Sequence, residues 1–166
     1  MNILAHASGV LLWRGRSVRC ALGRGGVSDD KHEGDGATPI GEFPLRRVLY
    51  RADRVEAPAT RLPIASVTWM DGWCDDPLDP LYNQMVHLPC EARHENLWRE
   101  DGVYDVIVVV GHNDEPVEPG RGSAIFMHVA ASDYTPTEGC VAIARADLLA
   151  LLGECSPETR LHVSPD

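Results

Sequence analysis

The sequence predicts a mainly β domain with one or two short helices, and three observations carry that prediction. The opening residues read as short apolar strands joined by turn residues. Two later segments, "YDVIVVVGHN" and "GSAIFMHV", are continuous apolar runs of the kind found at the centre of a sheet. Only "ARADLLALLG" places its apolar residues at helical spacing, with Gly153 as the expected terminal cap.

Taken in order, residues 2–6, 9–13 and 17–22 read as strands of a meander, with "ASG" and "RGR" as turns. Residues 23–38, "GRGGVSDDKHEGDGAT", form a long loop rich in glycine and charge; a loop of that length is expected to border a functional cleft. "TPIGEF" leads into a strand ending near Tyr50, and residues 51–61 are polar. "LPIASVTWM" reads as a strand, and "DGWCDDPLDPLYNQ" as turn chemistry dense in Asp and Pro. "TRLHVS" closes the chain as a strand. There is no internal repeat, and 166 residues suit a single domain spanning 1–166 with a proper core.

The formal charge of −10 would repel nucleic acid, so DNA and RNA are set aside as partners, and anionic membranes are disfavoured for the same reason. The N-terminal residues lack a charged n-region followed by a long apolar h-region, and no stretch is long enough to span a bilayer. The expectation is a cytoplasmic protein without membrane insertion. Five cysteines, an odd number with no CxxC, fit a reducing compartment better than a disulfide framework.

Chemistry concentrates in "IFMHVAASDYTPTEGCVAI", residues 125–143. An unpaired cysteine is most often a buried, inert thiol, and a strand-end histidine is most often structural. Context raises the odds here. Cys140 follows Gly139 in a turn-rich segment, and a helix begins a few residues later, where the local potential would favour thiolate. Gly139 removes a side chain where a carbonyl substrate must approach, leaving the Gly139 and Cys140 N–H groups as candidate oxyanion donors. His128, at the end of a rigid strand, is a candidate general base. Nucleophile plus nearby base is the requirement of covalent acyl transfer. Asp133, Glu138 or a backbone carbonyl could orient the imidazole, and the residues do not decide among them.

The segment resembles the signature of the L,D-transpeptidase catalytic domain (YkuD-like) family: a strand ending in His, a loop, then Ser/Thr-His-Gly-Cys. In this chain it stands as His128, then Thr137-Glu138-Gly139-Cys140. A second family element, Thr-Pro-x-Gly-x-Phe after a glycine-rich loop, stands as Thr38-Pro39-Ile40-Gly41-Glu42-Phe43. Several positions depart from the pattern. Glu138 replaces the motif's second histidine, Ala142 replaces a polar residue often Arg or Asn, Val129 replaces a common glycine, and the loop before Thr137 is short. Nucleophile, base and glycine are retained.

The resemblance implies a mixed β-sheet or sandwich of the L,D-transpeptidase type, needing no cofactor or metal. It implies that Cys140 attacks the carbonyl at the L-centre of a diamino acid, usually meso-diaminopimelate, in peptidoglycan stem peptides or muropeptides. D-Alanine leaves and a thioester forms. An amine then gives a cross-link; water gives L,D-carboxypeptidase action. With no visible export signal, the expectation is a carboxypeptidase trimming tetrapeptides in murein recycling. Arg121 or Arg145 would read substrate carboxylates in place of the residue at 142, Arg121 being preferred; Asn113, Asp114 and Thr137 are further candidates for substrate contact. Each arginine has a plain alternative as solvated charge, and Asn113 and Asp114 as turn formers.

Trp73, Cys74, Tyr82 and Asn83 form either a substrate wall or packed structure. His87, Cys90 and His94 stand at spacing that a zinc-dependent hydrolase could use, although Pro89 disrupts a regular helix there and no HExxH is present. A non-catalytic module that binds peptidoglycan fragments is the remaining alternative. Loop 23–36 lacks Gly-Lys-Ser/Thr, and its Asp29, Asp30, Glu33 and Asp35 would repel phosphate, which excludes a nucleotide loop.

Overall fold

The computed structural model describes residues 1–166. Strands β1 (Asn2–His6), β2 (Val10–Trp13) and β3 (Arg16–Ala21) form the expected meander. Arg14 and Gly15, both at positive φ (43° and 78°), make the two-residue connection that matches strand twist between β2 and β3. Short strands β4 (Val27–Ser28) and β5 (Thr38–Pro39) pair in parallel and tie the ends of the glycine-rich loop.

The long strand β6 (Gly41–Tyr50) is followed by β7 (Ile64–Ser66), a shorter strand than "LPIASVTWM" suggests. Then come β8 (Asp71–Cys74), β9 (Met85–His87) and β10 (His94–Asn96), which form a separate three-stranded sheet in the order β10-β8-β9. "DGWC" is therefore a strand inside what composition marks as turn, because it finds partners on both sides. The remaining elements are β11 (Val106–Val110), β12 (Phe126–Val129), β13 (Val141–Ile143), helix α1 (Arg145–Glu154) and β14 (Arg160–Ser164). The helix runs through Gly153 and is capped by Cys155, whose N–H bonds the Leu152 carbonyl at 3.1 Å. Burial of Leu148, Leu151 and Leu152 on the core outweighs the modest cost of one helical glycine.

The main sheet has the order β11-β12-β13-β3-β2-β1-β14-β6-β7. Closure comes from β6: Gly41–Pro44 pair with β14, and Leu45–Tyr50 pair with β11, so the sheet curls into a barrel-like form. Parallel pairs β1–β14, β12–β13 and β6–β7 make the sheet mixed. No helix is long and apolar enough to cross a membrane.

Strand alternation divides the interior. Val106, Val108 and Val110 of β11 join the large core with Met127, Val129, Val141 and Ile143, while Ile107 and Val109 join a second cluster with Trp73, Leu97, Tyr104, Phe126 and Cys140. Strand β11 is buried on both faces, which is why its sequence is a continuous apolar run.

Candidate active site

Period-two alternation delivers the two reactive side chains to one place. Met127 and Val129 face the large core, so His128 faces the other way, with Phe126. On β13, Val141 and Ile143 face the large core, so Ala142 and the preceding Cys140 share the face of His128. Parallel pairing sets His128 opposite Ala142. Cys140, two positions earlier, lies diagonally from His128 on that face; no hydrogen bond joins the two, the sulfur being engaged by Ala124 and Phe126. The alanine beside the ring leaves it room.

Both groups line a cleft of about 810 Å³, within the usual size for a small-molecule or peptide site. Each is nonetheless nearly covered: His128 is 6% exposed and Cys140 7%. The His128 Nδ1 lies 2.9 Å from the Val129 carbonyl, which can only accept. The proton therefore sits on Nδ1, and Nε2 carries the lone pair. Asp133 bonds Thr135 and Glu138 bonds Arg24, so neither carboxylate orients the ring. Burial depresses the imidazole to about 4, the Val129 hydrogen bond opposing that shift in part.

The Cys140 thiol donates to the Ala124 carbonyl at 3.3 Å and accepts from the Phe126 N–H at 3.4 Å. Burial pushes it up to about 12, with the Glu95 carboxyl adding to the rise. The resting pair is accordingly a neutral thiol and a neutral imidazole. This corrects the expectation of an exposed thiolate favoured by a helix N-terminus. Strand β13 intervenes between Cys140 and α1, and the sulfur is buried.

Gly139 has φ 135°, and a Cβ there would lie 2.8 Å from the Ala37 carbonyl oxygen and 3.3 Å from Ile125 Cδ1. Only glycine fits that bend. Its N–H is spent on Thr137 Oγ1 at 3.1 Å, while that hydroxyl donates to the Cys140 carbonyl at 2.7 Å. Of the two amides expected to hold an oxyanion, the Gly139 N–H is engaged and the Cys140 N–H has no protein acceptor. The Ala37 contact joins the two sequence motifs. Gly23 N–H donates to Thr38 Oγ1 at 2.9 Å, and the Arg24 N–H to the Thr137 carbonyl at 2.7 Å, so the "TP" segment and the cysteine turn brace each other.

Other expected site residues fall differently. Thr137 lines the cleft. Arg121 pairs with Asp30 at 3.1 Å and is not part of the cleft lining. Arg145 pairs with the buried Asp105 and is not part of the cleft lining, and Asp114 pairs with Arg46 at 2.9 Å. Asn113, at φ 50°, spends its side chain on the Glu118 and Gly122 carbonyls and the Glu118 N–H, which is turn-forming work. Buried Asn83 is structural as well. It bonds the His112 and Asn113 carbonyls and accepts from Trp73 Nε1 and the Ala124 N–H, fixing the residue whose carbonyl accepts the thiol hydrogen bond. His87 and His94 lie on the outer strands of the small sheet, opposite Asp71 and Cys74 respectively, at opposite ends of β8. No three His, Cys, Asp or Glu side chains gather to hold a metal ion.

Several cleft residues carried no sequence signal that singled them out. Tyr104 packs edge-on to the His128 ring at 5.2 Å and donates to Glu95. Arg99 lies over the Tyr104 ring, 5.1 Å from its centroid, and pairs with Asp101. Lys31, from the glycine-rich loop, is 6% exposed; its ammonium bonds Asp35 and the His32 carbonyl. As the chain's single lysine, against fourteen arginines, it could have been noticed.

Among curated proteins none matches the chain. A solved structure similar to it is the helical cell shape determining protein Pgp2 from Campylobacter jejuni, at 13% identity and a TM-score of 0.48. The similarity covers 98% of this chain and 46% of that one, so the chain spans about half the length of that protein. Residues 3–163 match the YkuD, L,D-transpeptidase catalytic domain. The chain thus belongs to the YkuD, L,D-transpeptidase catalytic domain family, whose members are cysteine-dependent enzymes.

Proposed function

We propose that the chain is an L,D-carboxypeptidase that removes the terminal D-alanine from diaminopimelate-containing tetrapeptides in murein recycling. The observation that carries this reading is the cleft in which Cys140 and a correctly tautomeric His128 share one face, lined by charged groups of both signs.

In this reading the proton movements follow in order. As Sγ bonds the substrate carbonyl carbon, its proton passes to His128 Nε2, so thiolate never accumulates. The carbonyl π electrons move onto oxygen, and the free Cys140 N–H donates to that oxyanion. Collapse breaks the C–N bond, and the imidazolium returns its proton to the leaving nitrogen of D-alanine. His128 next takes a proton from water, whose oxygen attacks the thioester carbon. Thiolate leaves and is reprotonated by the imidazolium, giving a tripeptide acid. An amine in place of water gives the cross-linking outcome of the same thioester.

Cytoplasmic action belongs to this proposal. Five free thiols, none paired with another, suit a reducing compartment. Cell fractionation checks it.

Incubation with a diaminopimelate-containing tetrapeptide, followed by mass spectrometry, tests the reaction. D-Alanine and tripeptide should appear and be lost in Cys140→Ala and His128→Ala. Absence of D-alanine release across the pH range of the folded enzyme defeats the proposal.

A further inference from the structure

Charge matching within the cleft leaves one group over. Arg93 pairs with Asp75 at 3.0 Å and with Glu33 at 3.8 Å. Arg99 Nε lies 3.2 Å from Asp101, Glu138 is held by Arg24 at 2.9 Å, and Lys31 is held by Asp35. Glu95 has no cationic partner; its one hydrogen bond comes from the Tyr104 hydroxyl.

Its position is set by register. Glu95 stands opposite Trp73 in the antiparallel β8–β10 pair, so both side chains leave the same face. Trp73 packs edge-on to Phe126 at 5.1 Å, which makes that face the inner one. The carboxyl is thereby turned inward, into the cleft, rather than to water. Tyr104 carries it to the reacting centre, since the same ring that donates to Glu95 packs on His128. Burial raises the Glu95 carboxyl; the Tyr104 hydrogen bond and the Arg99 charge oppose that rise while nearby Asp75 and Glu33 add to it, and a cation bound directly to the carboxylate would favour its charged form.

We propose that Glu95 recognises a primary ammonium group of the stem peptide bound beside Cys140, making a free amine a specificity requirement of this enzyme. The proposal rests on reading the cleft as a stem-peptide site. It reverses the expectation that a spare cation selects for substrate carboxylates, because every cleft cation already has a carboxylate partner. The ammonium has two sources: the side-chain amine of the diamino acid in the acyl donor, or the amine of an incoming acceptor.

The test uses full-length Cys140→Ala protein and calorimetry, so that binding is read without turnover. The probes are the diaminopimelate tetrapeptide and the same peptide acetylated on its side-chain amine. If the donor amine is recognised, the free amine binds about tenfold to a hundredfold tighter, as a charge-assisted contact allows. Adding Glu95→Gln removes the preference, and Glu95→Asp retains part of it. If the acceptor amine is recognised, the Cys140 enzyme carrying Glu95→Gln shows a tenfold lower ratio of amine transfer to hydrolysis. Equal affinity for both peptides with Glu95 present, together with an unchanged ratio, overturns the proposal. Should Glu95→Gln not fold, the two-peptide comparison with Glu95 present and the ratio in Glu95→Asp decide alone. Failure of the wild type to release D-alanine strikes the carboxypeptidase reading but leaves the binding comparison standing.

Discussion

Acid should weaken this protein through His128 before its lowered aspartates titrate. The imidazole stands at about 4 in the folded chain against an ordinary 6.5, because burial penalises the charged ring. The unfolded chain therefore takes up a proton near 6.5 that the native chain refuses until about 4. Between those values the unfolded state binds more protons, so stability falls as pH falls. Taken over the whole interval, the shift amounts to roughly 3 kcal/mol, of which about 2 kcal/mol is lost between about pH 7 and about pH 5. For a domain of this size that corresponds to a fall of about 4–8 °C in Tm. His112, also lowered by burial, titrates in the same direction, so the measurement is the difference between wild type and His128→Gln. The lowered carboxyls of Asp35, Asp101 and Asp133 do not confuse that window, since they lose their contribution only as pH falls below their ordinary 3.8. Melting temperatures at several pH values supply the data, and the acid limb of kcat/KM for D-alanine release should fall near pH 4. An acid limb near 6.5, or equal pH dependence of Tm in the two proteins, would refute a buried neutral imidazole.

Three other outcomes follow from the same geometry. Gly139→Ala should lower stability by roughly 1–3 kcal/mol and cut kcat, because φ 135° and the 2.8 Å approach to the Ala37 carbonyl force the cysteine turn to move; thermal melts and steady-state kinetics read both. Thr137→Val should cost about 1–3 kcal/mol, since the Gly139 N–H loses its acceptor and the Cys140 carbonyl its donor. Alkylation of Cys140 by iodoacetamide should be slow at neutral pH and climb steadily above pH 9, with no early thiolate plateau; rapid neutral labelling by mass spectrometry would contradict a thiol pushed up to about 12.

The turn that carries Cys140 was legible because glycine and cysteine report local constraints. Gly139 occupies a conformation other residues reject, and the runs around Ile107 and Met127 declare strands buried on both faces. The small sheet was not legible. "DGWC" is dense in turn residues, yet Gly72 and Trp73 pair with Val86 and Met85 on one side and Asn96 and Glu95 on the other. The cationic reader expected at Arg121 failed for a related reason. Charge says nothing about which carboxylate lies nearby in space, and Asp30, ninety-one residues away, takes it.

By itself, then, the sequence determined that the chain is mainly β, where its buried strands run, and which cysteine and histidine are the candidates for a catalytic pair. Those properties follow from local periodicity and from residues with narrow conformational tolerance. Tertiary structure alone decided that the thiol and imidazole rest uncharged, that the Val129 carbonyl sets the tautomer, and that Glu95 bonds a tyrosine hydroxyl rather than a cation. Solvation and ion pairing depend on what surrounds a group in three dimensions, and strand register brings together neighbours that the linear order keeps far apart.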